Sequence, residues 1–205
     1  MDLLGLGELQ LDALREVANV GAGHAATALS KLTRRRVMLG VPEVRVARLE
    51  EVGELLGDPG VVVAAIVVRL EGAITGRTLQ VMPGATAARL TAMLLGTKEP
   101  RFPDQFGVLE RSALKEIGNI LVGAYLNALG QFVRVPLQMS VPAIAIDMAG
   151  AVLTTSYLNF GDEEDHVFCV STSMGFETGG DLPSHFLLIP DANSLAQILR
   201  SLGMA

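Results

Sequence analysis

The chain has 205 residues, 22 acidic against 16 basic for a formal charge of −6, with half of its residues hydrophobic and 4% aromatic. That charge argues against a nucleic-acid binder, and a longest apolar run of Val61 to Val68 is too short to span a bilayer as a helix. One cysteine, Cys169, excludes an internal disulfide and, with no basic-then-apolar leader at the N-terminus, points to a reduced, cytoplasmic home.

In chain order, Leu9 to Leu32 reads as one long helix containing Gly21 and Gly23, two residues that weaken a helix but let another backbone approach closely. Arg34, Arg35 and Arg36 form the basic cluster, read as a solvated helix end where cations favour the C-terminal dipole. Val37 to Leu49 alternates like a strand, with Pro42 at an edge or bulge. Glu50 to Asp58 is a short helix or loop closing at the turn Gly57-Asp58-Pro59-Gly60. Val61 to Leu70 and Thr75 to Met82 read as paired strands, and Pro83 opens a helix from Gly84 to Leu95 that Gly96 closes.

Residues 97–107 form a connector rich in Pro and charge, either a bare linker or a short exposed helix offering Phe102 and Phe106 to a partner. Leu109 to Phe132 is a second long helix, and Val135 to Asp147 a strand bearing Pro142. Ala151 to Phe160 and His166 to Met174 are expected to pair as a hairpin around Gly161 to Asp165. His185 to Ile189 is a last strand, Pro190 opens a helix, and Gly203 ends it. The expected fold is α+β in a single domain spanning 1–205. Two pseudo-symmetric helix–strand–helix halves (about 8–96 and 108–205) share one mostly antiparallel sheet, with the long helices packed on it.

The symmetry expectation rests on a pattern written twice. Asp12, Glu16, Asn19 and Pro42 recur, one hundred positions on, as Ser112, Glu116, Asn119 and Pro142. Ala13, Leu14, Gly23, Ala28, Leu29 and Val41 recur at the same offset. Core packing alone would repeat only apolar positions. On a helix, Asp12, Glu16 and Asn19 fall in one stripe roughly 10 Å long, and Ser112, Glu116 and Asn119 in another. Leu11, Leu14, Val17 and Ala18 remain for the buried face of the first helix. Leu109, Ala113, Leu114, Ile117 and Leu121 remain for that of the second.

A carboxylate and a carboxamide one turn apart lack the second acid, metal or nucleophile that self-contained hydrolysis needs. His24, His166 and His185 are scattered, and no metal-ligand spacing or phosphate-cradling loop is present. An Asn amide, however, both donates to and accepts from water and can hold it in line for attack. That suits hydrolysis of a phosphoryl group bound elsewhere, where positioning and charge neutralisation dominate. The stripe is therefore read as a device inserted into another protein's active site.

These residues resemble the signature of the CheC-type chemotaxis phosphatases, the CheC/CheX/FliY family, and within it the CheC branch. The likeness extends over both halves, through the run from Asn19 to Ser30 and through Glu116-Ile-Gly-Asn-Ile120. It implies dephosphorylation of the phospho-aspartate on the response regulator CheY, with Asn19 and Asn119 orienting water. Glu16 and Glu116 would pair with the receiver's active-site lysine. Asp12, Ser112, Pro42 and Pro142 would support the stripe. The chain would need no cofactor of its own, Mg²⁺ being supplied by the receiver. It also implies CheD, a receptor deamidase, as a possible partner, for which the connector is the candidate contact. The alternative is a non-catalytic adaptor that binds phosphorylated CheY or CheD without turnover.

Overall fold

A computed structural model describes residues 6–48, 51–160, 166–176 and 179–203. The elements run α1 Glu8–Thr33, β1 Val37–Leu39, β2 Glu43–Arg48, α2 Val52–Leu56, β3 Val62–Gly72, β4 Gly76–Pro83 and α3 Gly84–Leu95. After a 3₁₀ turn at Pro103–Gln105 come α4 Val108–Val133, β5 Leu137–Met139, β6 Ala143–Met148 and α5 Ala149–Phe160. The chain then forms β7 His166–Phe176, β8 Gly179–Pro190 and α6 Ala192–Ser201.

The strands make one sheet in the order β1-β7-β8-β4-β3-β5, with β2 also on β7 and β6 also on β3. Every pairing is antiparallel among the described residues. Each half forms its own hairpin, β3–β4 and β7–β8, and the two hairpins join through β4 and β8. The edge strands cross over: β1 and β2 of the first half lie on β7, while β5 and β6 of the second lie on β3. Neither half can complete its sheet without the other.

Each edge strand is interrupted where its proline falls. Val37 to Leu49, expected as one strand, is two short strands separated at residues 40–42, and 137–148 is broken in the same way at 140–142. Proline has no N–H for the ladder, so pairing lapses there. Flanking groups re-anchor the chain: Gly40 N donates to Ser173 O at 2.8 Å, and Ser140 N donates to Arg69 O at 3.0 Å.

The long helices α1 and α4 pack on each other and on one face of the sheet. Their burial follows helical spacing, Leu14, Ala18, Ala22, Ala25 and Leu29 on α1 and Leu114, Ile117, Leu121, Tyr125 and Leu129 among others on α4. Both end at equivalent residues, Arg34 and Arg134, in the left-handed conformation at φ 53 and 59. At the start of α4 the Glu110 carboxylate accepts from Gly107 N at 3.0 Å, satisfying one of the helix's orphan donors. The start of α6 is capped by Asp191, which accepts from Ser194 N at 2.8 Å and from the Thr75 hydroxyl.

The opposite face of the sheet carries a second apolar cluster, and here one expectation fails. Ala151 to Phe160 is not a strand but the body of α5; its supposed turn partner, Gly161 to Asp165, lies outside the described residues. Ala149, Val152 and Leu153 follow i, i+3, i+4 spacing and cover Val63, Ala65, Leu187 and Ile189 together with Val52 of α2. Burying that stripe outweighs the strand preference of a segment rich in Thr, Val and aromatics. The partner of β7 is instead β8, which runs well beyond the expected His185 to Ile189.

Candidate functional site

Both long helices turn their buried stripe to the sheet, and the polar stripe therefore faces away from it. Asp12, Glu16, Asn19, Ser112 and Glu116 are exposed and Asn119 is half-buried. Within each half, the carboxylate and carboxamide stand one turn apart, roughly 4.5 Å along the axis. The structure thus brings each Glu–Asn pair together on the outward face of its helix, a ridge turned away from the sheet.

The two ridges differ in detail. In the first, Arg15 Nη1 donates to Asp12 Oδ1 at 2.7 Å, a surface ion pair with both partners substantially exposed. Such a pair contributes at most about 1 kcal/mol. Ser112 is uncharged, and Lys115 stands where the first half has Arg15. Pro42 is buried and Pro142 half-buried.

Each proline follows a short edge strand that lies beside its long helix. Val37 N donates to Ser30 Oγ at 2.9 Å, fixing the start of β1 beside the end of α1. Both β1 and β2 then contact α1. Pro42 follows in the break between β1 and β2, five residues after Val37. In the second half the Met139 Cε atom lies 3.7 Å from where a Cβ on Gly123 would stand, which sets the same relation three residues before Pro142.

The glycines of α1 separate into two kinds. A Cβ on Gly21 would lie 2.6 Å from Tyr125 Cδ1, so the close-packing expectation holds at the α1–α4 crossing. A Cβ on Gly23 would meet nothing within 4 Å, so packing does not account for that residue. Two further expectations are corrected. Phe106 is 6% exposed and belongs to the core, leaving only Phe102, at 61%, as an exposed aromatic of the connector. Leu109, assigned to the buried face, is 69% exposed.

Leu9 is also exposed, and its equivalence to Leu109 was legible in the sequence because the two share the offset of the polar motif. The remaining reactive side chains lie off the ridge. Burial pushes the Cys169 thiol up to about 11, and Ser171 Oγ and Cys169 Sγ lie 3.8 Å apart. His185 Nδ1 is 2.9 Å from Ser171 Oγ, and burial lowers its pKa. Among the described residues no group of three His, Cys, Asp or Glu side chains could hold a metal ion, and no helix is long and apolar enough to cross a membrane.

A paired-hairpin sheet carrying two outward Glu–Asn ridges makes this an internally duplicated α+β domain. The CheC-like family model matches residues 9–45 and 109–146, one match on each ridge and its edge strand. The chain is 35% identical over 202 residues to the Bacillus subtilis CheY-P phosphatase CheC, covering 97% of this chain and 96% of that protein. It is 26% identical to the Bacillus subtilis flagellar motor switch phosphatase FliY over 69% of this chain and 36% of that protein. Among solved structures, Thermotoga maritima FliY superposes with a TM-score of 0.79 at 19% identity, covering 97% of this chain and 98% of the other. The Helicobacter pylori FliM middle domain superposes with a TM-score of 0.72 at 14% identity, covering 96% and 99%. The chain belongs to the CheC-like family.

Proposed function

We propose that this protein is an aspartyl-phosphate phosphatase that hydrolyses the phospho-aspartate of CheY, using both ridges. The observation that carries the reading is the duplicated Glu–Asn pair on the outward faces of two long, well-packed helices, exposed except at the half-buried Asn119. A small-molecule enzyme buries its substrate in a cleft. A ridge has the opposite shape and fits a substrate that brings its own pocket, as a receiver domain does.

In this reading Glu16 and Glu116 pair with the active-site lysine of the receiver, which fixes the ridge in register. One turn further on, the Asn19 and Asn119 amides accept from and donate to a water and hold it in line with the phosphorus. The receiver carries the Mg²⁺ that neutralises phosphoryl charge, so the work left to this chain is orientation. Asp12 and Ser112 support the ridge from the preceding turn, and Pro42 and Pro142 shape the edge strand beside it. Similarity to a CheY-P phosphatase along nearly the whole chain supports the substrate, and CheY as substrate implies a cytoplasmic site of action. CheD is a further partner in this reading, with the exposed Phe102 as its candidate contact.

The test is phosphate release from phosphorylated CheY with wild type, Asn19→Ala, Asn119→Ala and the double variant. Losing about 2–3 kcal/mol of transition-state stabilisation slows a site by about 30- to 150-fold. Each single variant should keep the rate of the intact site, and the double variant should fall to the receiver's own decay. A wild type that leaves the phosphate lifetime unchanged or longer refutes the phosphatase and leaves the adaptor.

A further inference from the structure

The polar stripe is small for a protein partner. At roughly 10 Å it covers a fraction of the about 800 Å² per side that a specific interface buries. The structure shows what surrounds it. Leu9 lies seven residues before Glu16 and Gly23 seven after, and residues seven apart differ by only about 20° around a helix. All three therefore sit on the one outward line, which extends the ridge to about 21 Å. Val41 adjoins Pro42 in the break between β1 and β2, both of which contact α1.

The same residue types recur around the second stripe as Leu109, Gly123 and Val141. Leu9 is 82% exposed, Val41 89%, Leu109 69% and Val141 86%. Exposed apolar side chains scattered singly need no explanation, but these are duplicated at the same two places around a duplicated polar motif. Not every exposed apolar residue is so duplicated: Met38 corresponds to Gln138, and Val108 to Glu8. The glycine is an independent observation. Gly21 is held small by Tyr125, whereas Gly23 faces open space, so nothing inside the chain favours a helix-weakening residue there.

We propose that Leu9, Gly23 and Val41, and likewise Leu109, Gly123 and Val141, are the docking collar for the phosphorylated receiver. The leucine and valine grip apolar surface at the mouth of the phospho-aspartate pocket, and the glycine leaves the ridge flat for the receiver's backbone to approach. The inference rests on the receiver-phosphatase reading of the same ridges and adds the residues that determine affinity for the receiver.

The experiment uses CheY from the same organism, activated with beryllofluoride as a stable mimic of the aspartyl phosphate, and measures Kd by fluorescence anisotropy. Gly23→Gln/Gly123→Gln places a long side chain on each ridge and improves helix propensity. A Cβ at Gly23 meets nothing within 4 Å and one at the half-buried Gly123 meets Met139 Cε at 3.7 Å, an ordinary contact, and an unchanged or raised urea midpoint will show that the fold survives. Val41→Ser/Val141→Ser removes the apolar grip. Each double variant should raise Kd, and KM for phosphate release, by about tenfold or more, with kcat changed far less. Met148→Ser, an exposed apolar residue six positions beyond Pro142 on β6, is the control and should bind as wild type.

Wild-type affinity in both double variants overturns the collar, even where phosphate release is fast. Binding without phosphate release, weakened by both variants, overturns the phosphatase reading and supports the collar. A wild type that neither binds activated CheY nor hastens its dephosphorylation overturns both.

Discussion

Gly21 and Gly23 stand two residues apart in one helix, and replacing each with alanine should change stability in opposite directions. Alanine in a helix interior gains about 1 kcal/mol over glycine at either position. At Gly23 a Cβ meets nothing within 4 Å, so the gain is realised in full. At Gly21 the new Cβ would lie 2.6 Å from Tyr125 Cδ1 and 3.1 Å from Tyr125 Cα. The ring has little room to retreat, because Tyr125 is buried and stacked on Phe186 with centroids 4.8 Å apart.

The helices must separate, and overpacking of this kind costs about 1–3 kcal/mol. Gly23→Ala should therefore be stabilised by about 1 kcal/mol, and Gly21→Ala should run from neutral to about 2 kcal/mol less stable. The gap between them is about 1–3 kcal/mol, or very roughly 2–12 °C in Tm for a chain of this length. Urea titration followed by circular dichroism, with thermal melts alongside, measures both variants. If Gly21→Ala is stabilised as much as Gly23→Ala, the crossing at Tyr125 does not constrain α1, and the contrast that singles out Gly23 disappears.

Two titrating or reactive groups give further expectations. Burial lowers the pKa of His185 below its ordinary 6.5, so below that pH the unfolded chain takes up a proton that the native state resists. Stability should be complete above about pH 6.5 and fall as pH drops through and below it, and His185→Gln should flatten that part of the urea-midpoint profile. A midpoint in wild type that follows the variant's at every pH would refute the linkage. Burial also raises Cys169 to about 11, so the thiol should resist a disulfide reagent in the native protein at neutral pH and react fully in urea. Rapid labelling of the folded chain would show that β7 opens far more readily than its packing implies.

The sequence alone carried the duplication, because polar residues repeated at a fixed offset have no reason in core packing. It determined the two long helices, the Glu–Asn stripes on their outward faces and the β3–β4 hairpin, since each of these depends on local periodicity and on turn residues such as Gly96. It also held an unused signal for α5: Val52 and Val152 are equivalent positions, and the short helix expected after Glu50 in the first half implied one here. The Thr and aromatic content of 151–160 concealed it, since a short segment's preference is overridden by whatever face it must cover.

Which strand completes which half is settled by the three-dimensional fold. The exchange of β1 and β2 onto β7, and of β5 and β6 onto β3, depends on long-range pairing that no local pattern encodes. It likewise decided that Phe106 is core while Phe102 is surface, and that Leu109 points outward although its hydropathy suggests burial. Gly21 and Gly23 read identically in one dimension; they differ because α4 crosses α1 at the first and leaves the second open. Local chemistry sets what an element can present, and packing across the chain sets which side of it remains free to meet a partner.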